Sequence, residues 1–282
     1  MKTTLFILLS FLVTALLSQK RDVVLYKQID TTRLYIEVVY PSAKIANENN
    51  AAVVFFFGGG WINGSRASFE HHAVYFSQRG LTCFLVDYRT KSKNGTTPFE
   101  SLKDAKSAMR FIKKNAERFH IDTSKIIAAG GSAGGHLAAA TALITKYNEE
   151  GDDLSVSTKP CALFLFNPVI DNGPGGYGFD RIGPEYKDFS PLHNIQKGAP
   201  PTIILIGDQD QLVPVETVRY YKIVMEKAGS RCDLKLYEGQ KHAFYHFNAE
   251  KQNIYYNKTV YDADKFLSSL GYLSGEPAIE LK

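Results

Sequence analysis

Apolar and polar positions along this chain follow two alternating periods. Short runs rich in β-branched and aromatic residues predict strands near 23–29, 31–40, 51–57, 82–88, 125–130, 162–167, 202–207 and 233–238. Asp30 and Thr31 join the first two in a hairpin-like connection. From Val53 onward the runs are almost wholly apolar, as in Val53–Phe57 and Ile203–Ile206. Strands of that kind are buried on both faces, as in a parallel sheet. Between them the spacing changes. Leu102, Ala105, Met109, Ile112, Ala116 and Phe119 recur at three- and four-residue steps, which predicts a helix over 98–119. Further helices are predicted over 133–146, 215–228 and 259–270. Strand–helix alternation without a linker or internal repeat predicts one α/β domain with a mostly parallel sheet flanked by helices. Residues 171–200 stand apart, rich in Gly and Pro and carrying Tyr177, Phe179 and Tyr186. A connection this long is expected to line a binding site.

Composition excludes several classes. The chain has 282 residues, 44% hydrophobic and 22% charged, which is a globular and not a disordered composition. A net charge of +4, with no Lys/Arg cluster, gives no footprint for nucleic acid. Three cysteines (83, 161, 232) cannot build a disulfide scaffold, and their spacing matches no zinc ligand set. Lys2 precedes an uncharged stretch whose apolar heart is Leu5–Leu17. That is the length of a signal-peptide core and shorter than the roughly 20 residues of a membrane span. Residues 1–18 are therefore expected to be a cleaved signal peptide. Residues 19–282 would then form the mature domain, working as a secreted or periplasmic protein, with an uncleaved anchor as the alternative. Asn63, Asn94 and Asn257 begin Asn-x-Ser/Thr sequons, which matter only in a eukaryotic secretory pathway.

The candidate chemistry begins at Ser132. Ile126–Ala129 is a strand that runs into Gly130-Gly131-Ser132-Ala133-Gly134-Gly135 and then into a helix. This is G-x-S-x-G in strand–turn–helix context, where the serine hydroxyl projects from the C-terminal edge of a sheet. Gly130 and Gly134 are expected to press against each other across the turn. A nucleophilic serine requires a base, and the base an orienting acid. Strand 202–207 ends in Gly207-Asp208-Gln209-Asp210, and strand 233–238 leads to His242. The order Ser132, Asp210, His242, each after a strand, is the order of an α/β-hydrolase triad. Asp208 is the rival acid and His246 the rival base. His136 is expected to pack beneath the serine turn. His71 and His72 point apart on a helix and make no metal pair, and His120 and His193 have no evident partners. Strand 51–57 ends in Phe57-Gly58-Gly59-Gly60-Trp61. The amides of Gly59 and Gly60, with that of Ala133, are candidate donors to a tetrahedral oxyanion.

Together, Gly58–Trp61, the glycine-flanked Ser132, Asp210 and His242 resemble the acetyl-esterase and hormone-sensitive-lipase-like branch of the α/β-hydrolases. The resemblance covers roughly residues 50–270 and looks closest to secreted bacterial esterases that remove acetyl groups from plant polysaccharides. It implies an eight-stranded, mostly parallel α/β-hydrolase sheet, no metal or organic cofactor, and short-chain ester substrates, acetyl esters first, that are small molecules or carbohydrates. Two positions depart from the branch. Phe57 stands where a histidine usually braces the oxyanion turn, and Gly131 where an aspartate often precedes the serine. Trp61 and Tyr177 are expected to contact substrate, stacking on a sugar ring or an acyl chain. A lipase or feruloyl-type esterase on the same triad, or a catalytically silent binding protein, are the rival readings. No stable membrane insertion is expected after signal removal, and the oligomeric state is left open.

Overall fold

A computed structural model describes residues 19–41, 50–250, 252–279 and 281. The expected signal peptide, 1–18, lies outside them. Eight strands form one sheet in the order β1-β2-β4-β3-β5-β6-β7-β8. They are β1 Arg21–Ile29, β2 Thr32–Val39, β3 Ala52–Phe56, β4 Thr82–Val86, β5 Ile126–Gly131, β6 Ala162–Phe166, β7 Thr202–Gly207 and β8 Cys232–Tyr237. β2 is antiparallel to both of its neighbours, and the pairs from β4 to β8 are parallel. Every residue of β3, β4, β5, β6 and β7 is buried, as their unbroken apolar runs require. β8, at the sheet edge, is half-exposed in its middle.

The helices used below are α1 Glu70–Gln78, α2 Pro98–Lys114, α3 Ala133–Leu143, α4 Val215–Lys227 and α5 Ile254–Ser269. α2 begins where its sequence dictates. Thr97 accepts from the Phe99 amide and Glu100 accepts from the Thr97 amide, a reciprocal cap, with Pro98 in the first turn. Its apolar stripe, Leu102, Ala105, Met109 and Ile112, is fully buried. The expected single helix over 98–119 breaks at Asn115, whose side chain bonds the Phe111 carbonyl (2.8 Å), and a short turn, Ala116–Phe119, follows. α3 is apolar all round and almost wholly buried. Lys106 of α2 caps its end by donating to the carbonyls of Ile144 (3.0 Å), Thr145 (3.1 Å) and Lys146 (2.6 Å). A buried Asp104 on α2 accepts from Arg89 and from Lys27 of β1, fastening the first hairpin to the core. Such a charge is tolerable inside only because it is fully paired.

Register positions the site. Phe56 pairs with Gly130, Gly131 with Phe166, Phe166 with Leu205 and Gly207 with Tyr237. The C-terminal ends of five parallel strands therefore lie level. The segments that leave them, starting at Phe57, Ser132, Asn167, Asp208 and Glu238, meet along one edge. In open α/β sheets this edge is where ligands bind.

Candidate active site

Ser132 sits between β5 and α3 at φ 53°, ψ −119°, a conformation an L-residue holds only under constraint. The constraint is visible. Its N–H donates to the Phe166 carbonyl (2.9 Å), and its carbonyl accepts from His136 (3.0 Å) and Val169 (3.1 Å). A Cβ at Gly130 would lie 2.3 Å from the Gly134 carbonyl oxygen, the close approach expected across this turn. Gly131 has its own reason. A Cβ there would fall 1.8 Å from the Tyr245 hydroxyl, so a side chain before this serine would have to displace the buried Tyr245 ring.

The structure brings the three expected residues into one row. His242 Nε2 is 2.9 Å from Ser132 Oγ, and His242 Nδ1 is 2.7 Å from Asp210 Oδ2. A carboxylate only accepts, so Nδ1 carries the proton and Nε2 is left to accept from the serine hydroxyl. The other oxygen, Asp210 Oδ1, accepts the amides of Leu212 (2.9 Å) and Val213 (3.0 Å). The rival acid, Asp208, faces away and accepts from the Gly239 amide at 2.8 Å, tying β7 to β8. The rival base, His246, is a wall of the same cavity. Burial holds its pKa below the usual histidine value. Leu212 is 47% exposed at the cavity rim, while Val213 is buried.

Gly59, Gly60 and Ser132 line a cavity of about 330 Å³ with Ile62, Leu212 and Tyr245. Gly59 (φ 113°) and Gly60 (φ 64°) hold backbone that turns beside the serine. Ala133, fully buried, is the first residue of α3, where amides have no intrahelical partner. The departure at Phe57 has a structural answer. Its ring stacks on Tyr88 (centroids 3.9 Å, planes 12°), and the Tyr88 hydroxyl donates to the Phe57 carbonyl at 2.7 Å. Arg181 adds a polar brace, donating to the Gly60 carbonyl while lying over the rings of Trp61 (5.4 Å) and Tyr177 (5.3 Å).

Trp61 and Tyr177 part company. Tyr177 lines the cavity beside Gly60. Trp61 is only 1% exposed, packed against His136 and Phe189, so the expectation that it touches substrate is corrected: it supports the turn from below. His136 lies under the serine turn as expected and donates to the Phe189 carbonyl (2.9 Å). His71 stacks on Phe247 and His72 is fully buried, two separate environments. The 171–200 segment is a set of short helical turns, Phe179–Ile182, Gly183–Glu185, Tyr186–Phe189 and Pro191–Asn194. Asn172 anchors it by donating to the Tyr177 carbonyl (2.9 Å) and to Ser190 Oγ through its backbone amide (2.7 Å). A second cavity, of about 460 Å³, adjoins the first at Ala243 and His246 and is lined by Phe244, Phe247, Tyr255 and Gln240. Among the described residues no cluster of His, Cys, Asp and Glu could hold a metal ion, and no helix is long and apolar enough to cross a membrane.

Comparison with known proteins bears on this arrangement. The BD-FAE family profile matches residues 37–173, and that of the dienelactone hydrolase family matches residues 176–267. The chain is 39% identical to Thermogutta terrifontis esterase 2 in its apo form, with a TM-score of 0.85, over 90% of this chain and 96% of that one. A propionate-bound structure of the same esterase aligns with a TM-score of 0.84 at 38% identity, over 90% of this chain and 96% of that one. Among curated proteins it is 30% identical to esterase LipC of Mycobacterium tuberculosis, over 60% of this chain and 46% of that protein. It is 26% identical to an acetylxylan esterase of Xylanibacter ruminicola, over 70% of this chain and 42% of that protein. The chain thus spans about half or less of the length of the curated relatives it matches.

Proposed function

The chain belongs to the esterases of the α/β-hydrolase fold, and from that premise we propose that it is a secreted serine carboxylesterase that removes short acyl groups, acetyl above all, from carbohydrate esters. The observation that carries the proposal is the row from Ser132 Oγ through His242 to Asp210, at 2.9 and 2.7 Å, beside the glycine turn. His242 Nε2 takes the Ser132 proton as Oγ bonds to the ester carbonyl carbon. The carbonyl oxygen becomes an oxyanion, met by the amides of Gly59, Gly60 and Ala133. As the tetrahedral centre collapses, the C–O bond to the alcohol breaks and Nε2 gives that oxygen its proton. Water then repeats the sequence on the acyl-enzyme and releases the carboxylic acid. Asp210 holds the tautomer and stabilises the imidazolium throughout.

The size of the first cavity supports a short acyl chain, in keeping with the propionate-bound relative. The adjoining cavity, with aromatic walls and an amide rim, suits the flat faces and hydroxyls of a sugar alcohol. The acetylxylan esterase relative supports the same class. Residues 1–18 are proposed to direct the chain out of the cytoplasm. The test is p-nitrophenyl acetate hydrolysis by the mature chain and by Ser132→Ala. The variant is expected to lose at least about 10³-fold in kcat, and equal rates would end the proposal. Acetate release from acetylated xylan, compared with octanoyl esters, tests the substrate class.

A further inference from the structure

We propose that Asn167 is a positioning residue that holds the His242 imidazole against Ser132 from the side opposite Asp210. Asn167 follows β6 directly, is fully buried, and adopts φ 33°, in the left-handed region where asparagine is enriched among non-glycine residues. Its amide donates to the Leu205 carbonyl at 2.7 Å, and the flanking residues bond the serine turn through Phe166 O and Val169 N. The backbone is therefore fastened to β7 and to the serine turn at once. The side chain spans from there to the histidine loop. Its Oδ1 accepts the Ala243 N–H at 3.2 Å, and its Nδ2 is 3.3 Å from His242 Nε2. The two contacts settle the orientation of the amide, because a backbone N–H only donates and so must face the oxygen.

The arrangement has mechanical and electronic consequences. Once Ser132 is acylated and its bond to Nε2 is lost, an imidazole held by Asp210 alone can pivot about that one bond. The Asn167 contact at the far nitrogen removes the pivot, and the bond to Ala243 N–H holds the loop where Ala243 takes φ 64°. In the acyl-enzyme Ser132 Oγ no longer has a proton to offer Nε2. Asn167 still faces the ring and keeps it placed for the incoming water. Once Nε2 is protonated, the Asn167 N–H meets an N–H, a contact that favours handing the proton on to the leaving alcohol. The polar groups facing the ring are Asp210 from the end of β7, Ser132 from the end of β5, Asn167 itself, and His246 on the ring's own loop.

This inference rests on the serine hydrolase reading, and its test separates the two. Active serines are first titrated with an organophosphate ester, so that rates count only correctly folded sites. A chain with no titratable serine overturns the reading itself. Per titrated site, Asn167→Ala is expected to lose on the order of 10²-fold in kcat with KM little changed, the cost of a misplaced catalytic group. Asn167→Asp keeps the oxygen that accepts from Ala243 but turns the donor facing Nε2 into an anion. Its acidic limb in the kcat/KM profile is expected to move to higher pH by about 1–3 units. A structural filler would lower the number of titratable sites and leave the per-site kcat of Asn167→Ala alone, while the Asn167→Asp shift checks that the side chain faces Nε2. Wild-type kcat in Asn167→Ala, or an unmoved acidic limb in Asn167→Asp, overturns the positioning role.

Discussion

The residue that decides whether His242 can act as a base is Asp210, because both of its oxygens are committed. One faces Nδ1 and the other holds two backbone amides, so the carboxylate cannot rotate away from the ring. An asparagine here would keep the amide contacts with its oxygen and point its NH₂ at Nδ1. The ring would then carry its proton on Nε2, where it cannot accept from Ser132. Asp210→Asn is expected to lower kcat on the order of 10⁴-fold. Asp208→Asn still offers an oxygen to the Gly239 amide, and its kcat is expected to stay close to wild type. Steady-state kinetics on the pair checks the assignment, and the reverse ranking would transfer the acid role to Asp208.

At the scale of elements, the segment between β6 and β7 acts on the glycine turn after β3 through a single cation. Arg181 donates to the Gly60 carbonyl and lies over two rings, one from each segment. Removing it leaves Gly60 and Trp61, both at positive φ, held by fewer bonds. Arg181→Ala is expected to lower kcat roughly 10-fold, less than the 10²–10³ lost with a whole oxyanion donor. Lysine should restore only part, since it lacks the planar fork. An Arg181→Ala enzyme with unchanged kcat would detach this segment from the oxyanion turn. The strands carrying Ser132, Asp210 and His242 were legible in the sequence because apolar runs and glycine turns are local signals. The start of α5 at Ile254 was not, since no side chain caps the helix there and a single buried residue, Tyr256, extends the core-facing row of Thr259, Val260 and Ala263 into the first turn. Neither were Arg181 and Asn167. Their meaning comes from partners 121 and 75 residues away, a distance no periodicity reports. Asn167 did leave one trace, as a polar residue at the end of an apolar strand in a parallel sheet. Trp61 was misplaced because an aromatic after a glycine turn reads alike whether it faces the cleft or the core.

Across the whole molecule, two buried histidines set a limit on acid stability. His72 of α1 lies in a cage of rings from four other segments, Phe55, Phe69, Phe166 and Tyr256, with neither ring nitrogen hydrogen-bonded. Burial holds its pKa well below the usual histidine value. His136 of α3 is held down to about 3, chiefly by burial. In the unfolded chain both rings take up a proton near pH 6.5. Below that pH the unfolded state binds more protons than the folded one, so stability falls as pH falls. The contribution is absent above pH 6.5. For His136 the fall continues down to about pH 3, at up to about 1.4 kcal/mol per pH unit for each such group. Replacing His72 with phenylalanine removes one of these groups and two unpartnered polar atoms. A buried polar atom left unpaired costs about 1–3 kcal/mol, whereas an apolar group of similar shape costs little. His72→Phe is therefore expected to match or exceed the wild-type Tm at pH 8. Its Tm should also fall less steeply between pH 6.5 and 4, which calorimetry across that range measures. Identical slopes for the two proteins would mean that His72 already meets a proton in the folded state, and that the ring cage is open to water.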